Sequence, residues 1–223
     1  LNIYSNSSNQ SVTFKVYDAS TGNVYPAVET SDDVTFVTNS VVGSMNNPFI
    51  WNAKDLLEQS INMNRGWNWN SIYVQPESNA VEDIFAPIAS IVEIAKDKEA
   101  YAMYGNSQWR GDLDEINVGK MYKVKMRSAT TLSVVGEKVD PAAEVVKVKS
   151  GWNWIGYTAS FNMSIADAFA DLNPQDGDVV KSKNDFAIYN SYEWVGTLTA
   201  LAPGSGYMYY SNATEEKEFT YPS

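Results

Sequence analysis

The four residues Gly66-Trp67-Asn68-Trp69 occur again as Gly151-Trp152-Asn153-Trp154, at a spacing of 85 residues. Holding that spacing pairs Lys96 with Lys181, Lys98 with Lys183, Ala102 with Ala187 and Tyr104 with Tyr189. It also pairs Trp109 with Trp194, Gly111 with Gly196, Leu113 with Leu198, Gly119 with Gly204 and Tyr122 with Tyr207. Glu93 meets Asp178, Tyr101 meets Phe186 and Met103 meets Ile188. One residue of slippage aligns Phe85 with Phe169 and Ile88 with Leu172. Tryptophan is a rare residue, and three of its pairs fall in one register. A period this long implies a duplicated small domain, because solenoid repeats recur every ~20–50 residues.

Each copy reads alike. Val146, Val148, Trp152 and Trp154 alternate as in a strand, with Gly151 at a bend. A short helix follows: Ser164 is the expected N-cap, and Ile165, Ala168, Phe169 and Leu172 recur at helical spacing up to Asn173-Pro174. In the first copy, Asn79 takes the cap, and Val81, Ile84, Phe85 and Ile88 form the inner face. Strands are expected over 178–183, 186–189, 194–198 and 206–211, the last after a Pro203-Gly204 turn, and over 120–126 in the first copy. Ahead of the repeat, Val12, Phe14 and Val16 alternate with polar residues, 19–23 reads as a turn, and 34–38 and 49–51 read as further strand material. The expected fold class is therefore β-rich α+β: two tandem homologous β-α-β-β-β-β modules preceded by a short all-β segment. The boundaries are 1–57 (the end of a larger β-domain, or a docked sheet), 58–141 and 142–223, with 137–145 as linker.

The chemistry open to this chain is narrow. It contains neither histidine nor cysteine, which removes Ser-His-Asp triads, cysteine nucleophiles, and imidazole or thiolate metal sites. Catalysis would fall to carboxylates, as in a glycoside hydrolase. The acids do not repeat in register apart from Glu93 and Asp178, so the expectation is no enzyme and no cofactor. Asp176-Gly177-Asp178 lacks the remaining ligands of a calcium loop and reads as a turn. The net charge of −11 repels phosphate backbones, which argues against nucleic acid. No run of apolar residues is long enough for a transmembrane helix. The chain opens on Leu1 without a leader, as expected if one was removed or lies upstream.

The string Phe14-Lys15-Val16-Tyr17-Asp18-Ala19-Ser20-Thr21-Gly22-Asn23-Val24-Tyr25-Pro26 precedes two Gly-Trp-Asn-Trp units, each with a Trp-x-Gly-x-Leu and a Gly-x-x-Tyr. This combination resembles a module of secreted and cell-surface Bacteroidetes proteins, often found near a C-terminal sorting signal. The resemblance covers nearly the whole chain. It implies export, a secreted or cell-surface accessory role in a Gram-negative bacterium, and no activity; adhesion or ligand display is the expected form of that role.

Aromatic residues are the remaining binding candidates. Trp67, Trp69, Trp152 and Trp154 are expected to anchor the cores, with a stacking platform for sugar rings as the alternative; as a core residue, Trp152→Ala would cost about 3–5 kcal/mol. Trp109 and Trp194 follow polar turns at hairpin shoulders and are expected to be half exposed. Beside Trp194, the residues Asn190, Tyr192 and Glu193 offer an aromatic ring, an amide and a carboxylate at one turn, a combination suited to weak glycan binding. The expected partner is a glycan or a surface protein. A structural spacer or self-associating surface subunit is the alternative.

Overall fold

The computed structural model describes residues 1–20, 22–25 and 27–223. Thr21, in the turn expected over 19–23, and Pro26 lie outside the described residues. The protein is β-rich and divides into two units, Leu1–Leu56 and Leu57–Ser223.

In the first unit, β1 (Val16–Asp18) pairs antiparallel with β2 (Asn23–Tyr25), and β3 (Ala27–Thr30) pairs with β4 (Trp51–Lys54). The alternation read from the sequence is present, with Val12, Phe14 and Val16 half-buried. Only its last three residues form a ladder. The segment 34–38 makes one bridge, Ser11 to Thr35, in place of a strand. The apolar contacts here are ring against ring, with Phe14, Phe49 and Trp51 at mutual centroid distances of 5.5–5.8 Å. So small a cluster does not need extended strands to bury it.

The boundary between the units falls after the first residue of β5 (Leu56–Met63), and the second unit continues with β6 (Gly66–Asn70), β7 (Val74–Pro76), α1 (Val81–Phe85) and a 3-10 turn over Ala86–Ile91. Next come β8 (Val92–Lys96), β9 (Tyr101–Gly105), β10 (Gln108–Gly111), β11 (Tyr122–Met126) and β12 (Thr130–Lys138). Then β13 (Val146–Val148), β14 (Gly151–Gly156), β15 (Met163–Ser164), α2 (Ile165–Ala168) and β16 (Val179–Lys181) follow. The chain closes with β17 (Phe186–Asn190), β18 (Glu193–Gly196), β19 (Ala200–Leu201), β20 (Gly206–Ser211) and β21 (Lys217–Phe219).

Two five-stranded antiparallel sheets dominate, ordered β6-β11-β8-β9-β10 and β14-β20-β16-β17-β18. Position by position these are the same order, and the register agrees: Ala95 opposes Ala102 as Val180 opposes Ala187, and Trp109 opposes Tyr104 as Trp194 opposes Tyr189. Each sheet covers its own apolar core. One includes Ile84, Phe85, Val92 and Val124, and the other includes Phe169, Tyr207, Tyr209 and Tyr221. Ser164 caps α2 by accepting from the Asp167 amide at 3.1 Å. Asn79 does not cap α1, whose N-cap is Ala80; its side chain instead donates to Asn117 Oδ1 and accepts from Gln75 Nε2.

Several strands fall outside the expected series. β5, β12 and β7 form a sheet of their own, and β13–β21 and β15–β19 form two short ladders. Val146–Val148 is thus separate from the strand carrying Trp152. The segment expected as linker is partly β12, with Val139 and Pro141 buried.

The two sheets meet through reciprocal backbone contacts. The Ser71 amide donates to Gly204 O at 3.0 Å, and the Gly156 amide donates to Gly119 O at 2.9 Å. Asn70 bridges Ser205, and Lys120 bridges Ile155. Adding 85 to one partner and subtracting it from the other converts each contact into its mate, the signature of a local two-fold axis. The approach is too close for side chains. A Cβ on Gly156 would lie 2.6 Å from Lys120 O, and one on Gly206 would lie 2.4 Å from Met121 Cγ. Gly156→Ala is therefore expected to destabilise the second unit by about 1–3 kcal/mol in urea unfolding. A wild-type midpoint would show that the junction yields freely.

Candidate functional site

The Gly-Trp-Asn-Trp repeat corrects the sequence expectation. Its core-facing residue is the asparagine. Asn153 is 8% exposed; its Oδ1 accepts from the Lys149 amide at 2.9 Å, and its Nδ2 donates to the carbonyls of Lys149 at 2.7 Å and Gly151 at 2.9 Å. Asn68 makes the same bonds to Asn64 and Gly66. Each clamps the tight bend at a glycine with positive φ, 89° at Gly66 and 82° at Gly151. With the asparagine turned inward, alternation puts both tryptophans on the opposite face of the sheet. Trp67 and Trp152 are 39% and 40% exposed. Trp69 and Trp154 flank the ammonium of Lys123, at 4.4 and 4.3 Å from its Nζ to the ring centroids. None of the four is in the buried core.

Trp194 behaves as a half-buried shoulder. Its indole lies 5.7 Å from Phe169, 5.2 Å from Tyr189 and 6.2 Å from Tyr209. Trp109 has fewer partners, at 5.8 Å from Phe85 and 5.2 Å from Tyr104. Beyond Trp194, the β17–β18 turn places Ser191 and Tyr192 at φ 53° and 70°. Both central residues are left-handed, as a type I′ turn demands, and Asn or Gly normally fill it. A bulky side chain is disfavoured there. The matching turn has Asn106 and Ser107 at φ 52° and 59°. Tyr192 is 94% exposed, so no packing compensates its conformation.

This turn is held from below. Asp176 Oδ1 accepts from the Ser191 amide at 2.9 Å, and the Asp176 carbonyl accepts from Asn212 Nδ2 at 3.1 Å. Asp178, buried, accepts from Tyr209 Oη at 2.7 Å, the Asn212 amide at 2.6 Å and the Gln175 amide at 3.1 Å. Burial, then the adjacent Asp178 carboxylate, pushes the Tyr209 phenol far above its ordinary range, so it remains a donor. The acidic pair read as a turn is thus a scaffold for the hairpin.

Tyr192, Glu193 and Trp194 line one depression of about 460 Å³ together with Tyr189, Asn173 and Pro174. Asn190 is not in its lining; its Oδ1 accepts from Ser191 Oγ at 3.4 Å. Trp109 is in the other sheet. The structure therefore brings three of the five candidates together. Asn173 and Pro174, a helix stop signal in the sequence, follow the turns after α2, which ends at Ala168, and nothing in their spacing shows that this segment lies beside the hairpin. Among the described residues, no three acidic, histidine or cysteine side chains gather as a metal cluster, and no helix is long and apolar enough to cross a membrane. Comparison with protein-family models, curated proteins and solved structures finds no match for this chain.

Proposed function

We propose that this chain is a non-catalytic accessory region of a secreted or cell-surface bacterial protein, built from two copies of one module over 58–141 and 142–223, and that it displays or adheres through weak glycan binding at the Tyr192 turn. The duplication rests on the matched identities and the shared strand order. Surface localisation rests on the resemblance described above. The binding reading is carried by one observation: a fully exposed tyrosine held in left-handed backbone beside Trp194, where the matching turn uses serine. Backbone strain of this kind collects at functional positions. The rings offer faces for the C–H side of a sugar, and Glu193 and Asn173 offer groups for its hydroxyls.

The two acids that match in register are already engaged. Asp178 holds three donors, and Glu93 pairs with Lys125 at 2.7 Å. Their engagement favours the binding reading over a carboxylate-dependent hydrolase. The close reciprocal junction at Gly156 and Gly206 favours a second reading, a rigid structural spacer.

A shallow site of this size is expected to bind in the millimolar to micromolar range, about −4 to −8 kcal/mol, and to gain from repeated copies. Titration of neutral polysaccharides against tryptophan fluorescence tests it. Tyr192→Ser, which copies the matching turn, is expected to weaken binding about tenfold, or ~1.4 kcal/mol, with no loss of fold. An unresponsive wild type across a broad panel, or an undiminished response in Trp194→Ala, would leave the spacer reading in front.

A further inference from the structure

We propose that the outer faces of the two large sheets form a second site, for a short acidic saccharide, in which Lys96, Lys123 and Lys181 receive the anionic group while Trp67 and Trp152 stack the neighbouring rings. Register builds the centre. Trp69, Lys123 and Lys96 stand opposite one another across β6, β11 and β8, and Trp154, Met208 and Lys181 do so across β14, β20 and β16. The side chains then cross between sheets. Lys96 Nζ reaches 5.7 Å from the Trp154 ring, Lys181 Nζ reaches 5.9 Å from the Trp69 ring, and Lys123 lies between both.

Three ammonium groups around two rings repel one another. Among the described residues none of the three has an ion-pair partner, although the chain carries 27 acids and a net charge of −11. Burial first, and then Lys96 and Lys181, lower the pKa of Lys123, which marks the same unbalanced charge. A carboxylate or sulfate at this point would offset it. On one flank Lys181 and Lys183 line a depression of about 280 Å³ with Trp152 and Phe186, where Asp185 is the one acid among the described lining residues.

The arrangement discriminates between classes of anion. A long polyanion would meet the field of an acidic chain, which disfavours nucleic acid. The cations are concentrated at the junction, and the exposed indoles of Trp67 and Trp152 lie outward along their strands, each about 6–7 Å from its inner partner at ~3.3 Å per residue. An anion flanked by apolar ring faces is the chemistry of a uronate within a saccharide. An aromatic surface with an unbalanced charge at its centre is also not a feature of an inert sheet face.

Calorimetric titration of the intact chain with trigalacturonate, against neutral galactotriose, tests the site. Trigalacturonate is expected to bind, to weaken in 0.5 M salt, and to lose at least tenfold in Lys123→Met, which installs the residue found at the matching position 208. Lys96→Gln with Lys181→Gln is expected to give a similar loss while leaving Lys123 between its rings, so a folding defect in one variant does not decide the matter. Trp194→Ala is expected to leave this binding unchanged, which separates it from the Tyr192 site. The proposal is overturned if trigalacturonate fails to bind, if galactotriose binds as tightly, if a hexaglutamate peptide binds as tightly, or if the lysine variants bind like wild type.

Discussion

Phe169→Ala is expected to lower the stability of the second unit by about 3–5 kcal/mol. The side chain is 0% exposed and lies at the centre of an aromatic cluster, with ring centroids at 5.1 Å from Tyr209, 5.7 Å from Phe219 and Trp194, and 6.3 Å from Tyr221. Truncation removes those contacts and leaves a cavity whose rigid ring walls collapse poorly. Phe85 makes one such ring contact, to Trp109, so Phe85→Ala should fall toward the lower end of that range. Trp194 rests on Phe169, and the same change should loosen the floor of the depression and weaken any ligand there. Urea unfolding monitored by circular dichroism reads the first effect. A loss below about 1 kcal/mol would mean that the cluster is not the keystone of this core.

Asn153→Ala is expected to cost about 2–3 kcal/mol, because it removes the side chain that bonds the Lys149 amide and carbonyl and the Gly151 carbonyl at a part-buried bend. Trp152→Ala should cost less, about 1–2 kcal/mol, since that indole is 40% exposed and its ring contact is with Tyr210 at 5.4 Å. This reverses the order that residue size suggests. Thermal melts of the two variants decide it, and a larger loss for Trp152→Ala would return the tryptophan to the core.

The 85-residue register of the rare tryptophans runs parallel to the strand order that the two large sheets share, and the helix starts at Val81 and Ile165 were legible, but α2 ends at Ala168, short of the Phe169 and Leu172 that the helical period included. The facing of the Gly-Trp-Asn-Trp strand was not legible. Alternation says that Trp152 and Trp154 share a face, and only the bend at Gly151, with its demand for a buried hydrogen-bonding side chain, says which face. β5 escaped notice because its buried positions include Gln59, whose amide donates to Ser71 O and accepts from the Tyr73 amide. A polar residue paired inside the fold looks like a surface residue in the sequence. At the candidate site, Tyr192, Glu193 and Trp194 were visible as neighbours in one turn. Asn173 and Lys123 are joined to their sites by packing between elements distant in the chain, which no local pattern records.

The reciprocal junction has a consequence for assembly. Near the two-fold, Met121 of one half fills the space that Gly206 of the other leaves open, and Lys123 stands opposite Met208. Two first halves brought together this way would set methionine against methionine and ammonium against ammonium. Two second halves would set glycine against glycine and leave a void. Only the unlike pairing is both filled and electrically tolerable. The two halves thus make a matched pair, in which tethering through residues 139–145 supplies the high local concentration and each half fits the other rather than a second copy of itself.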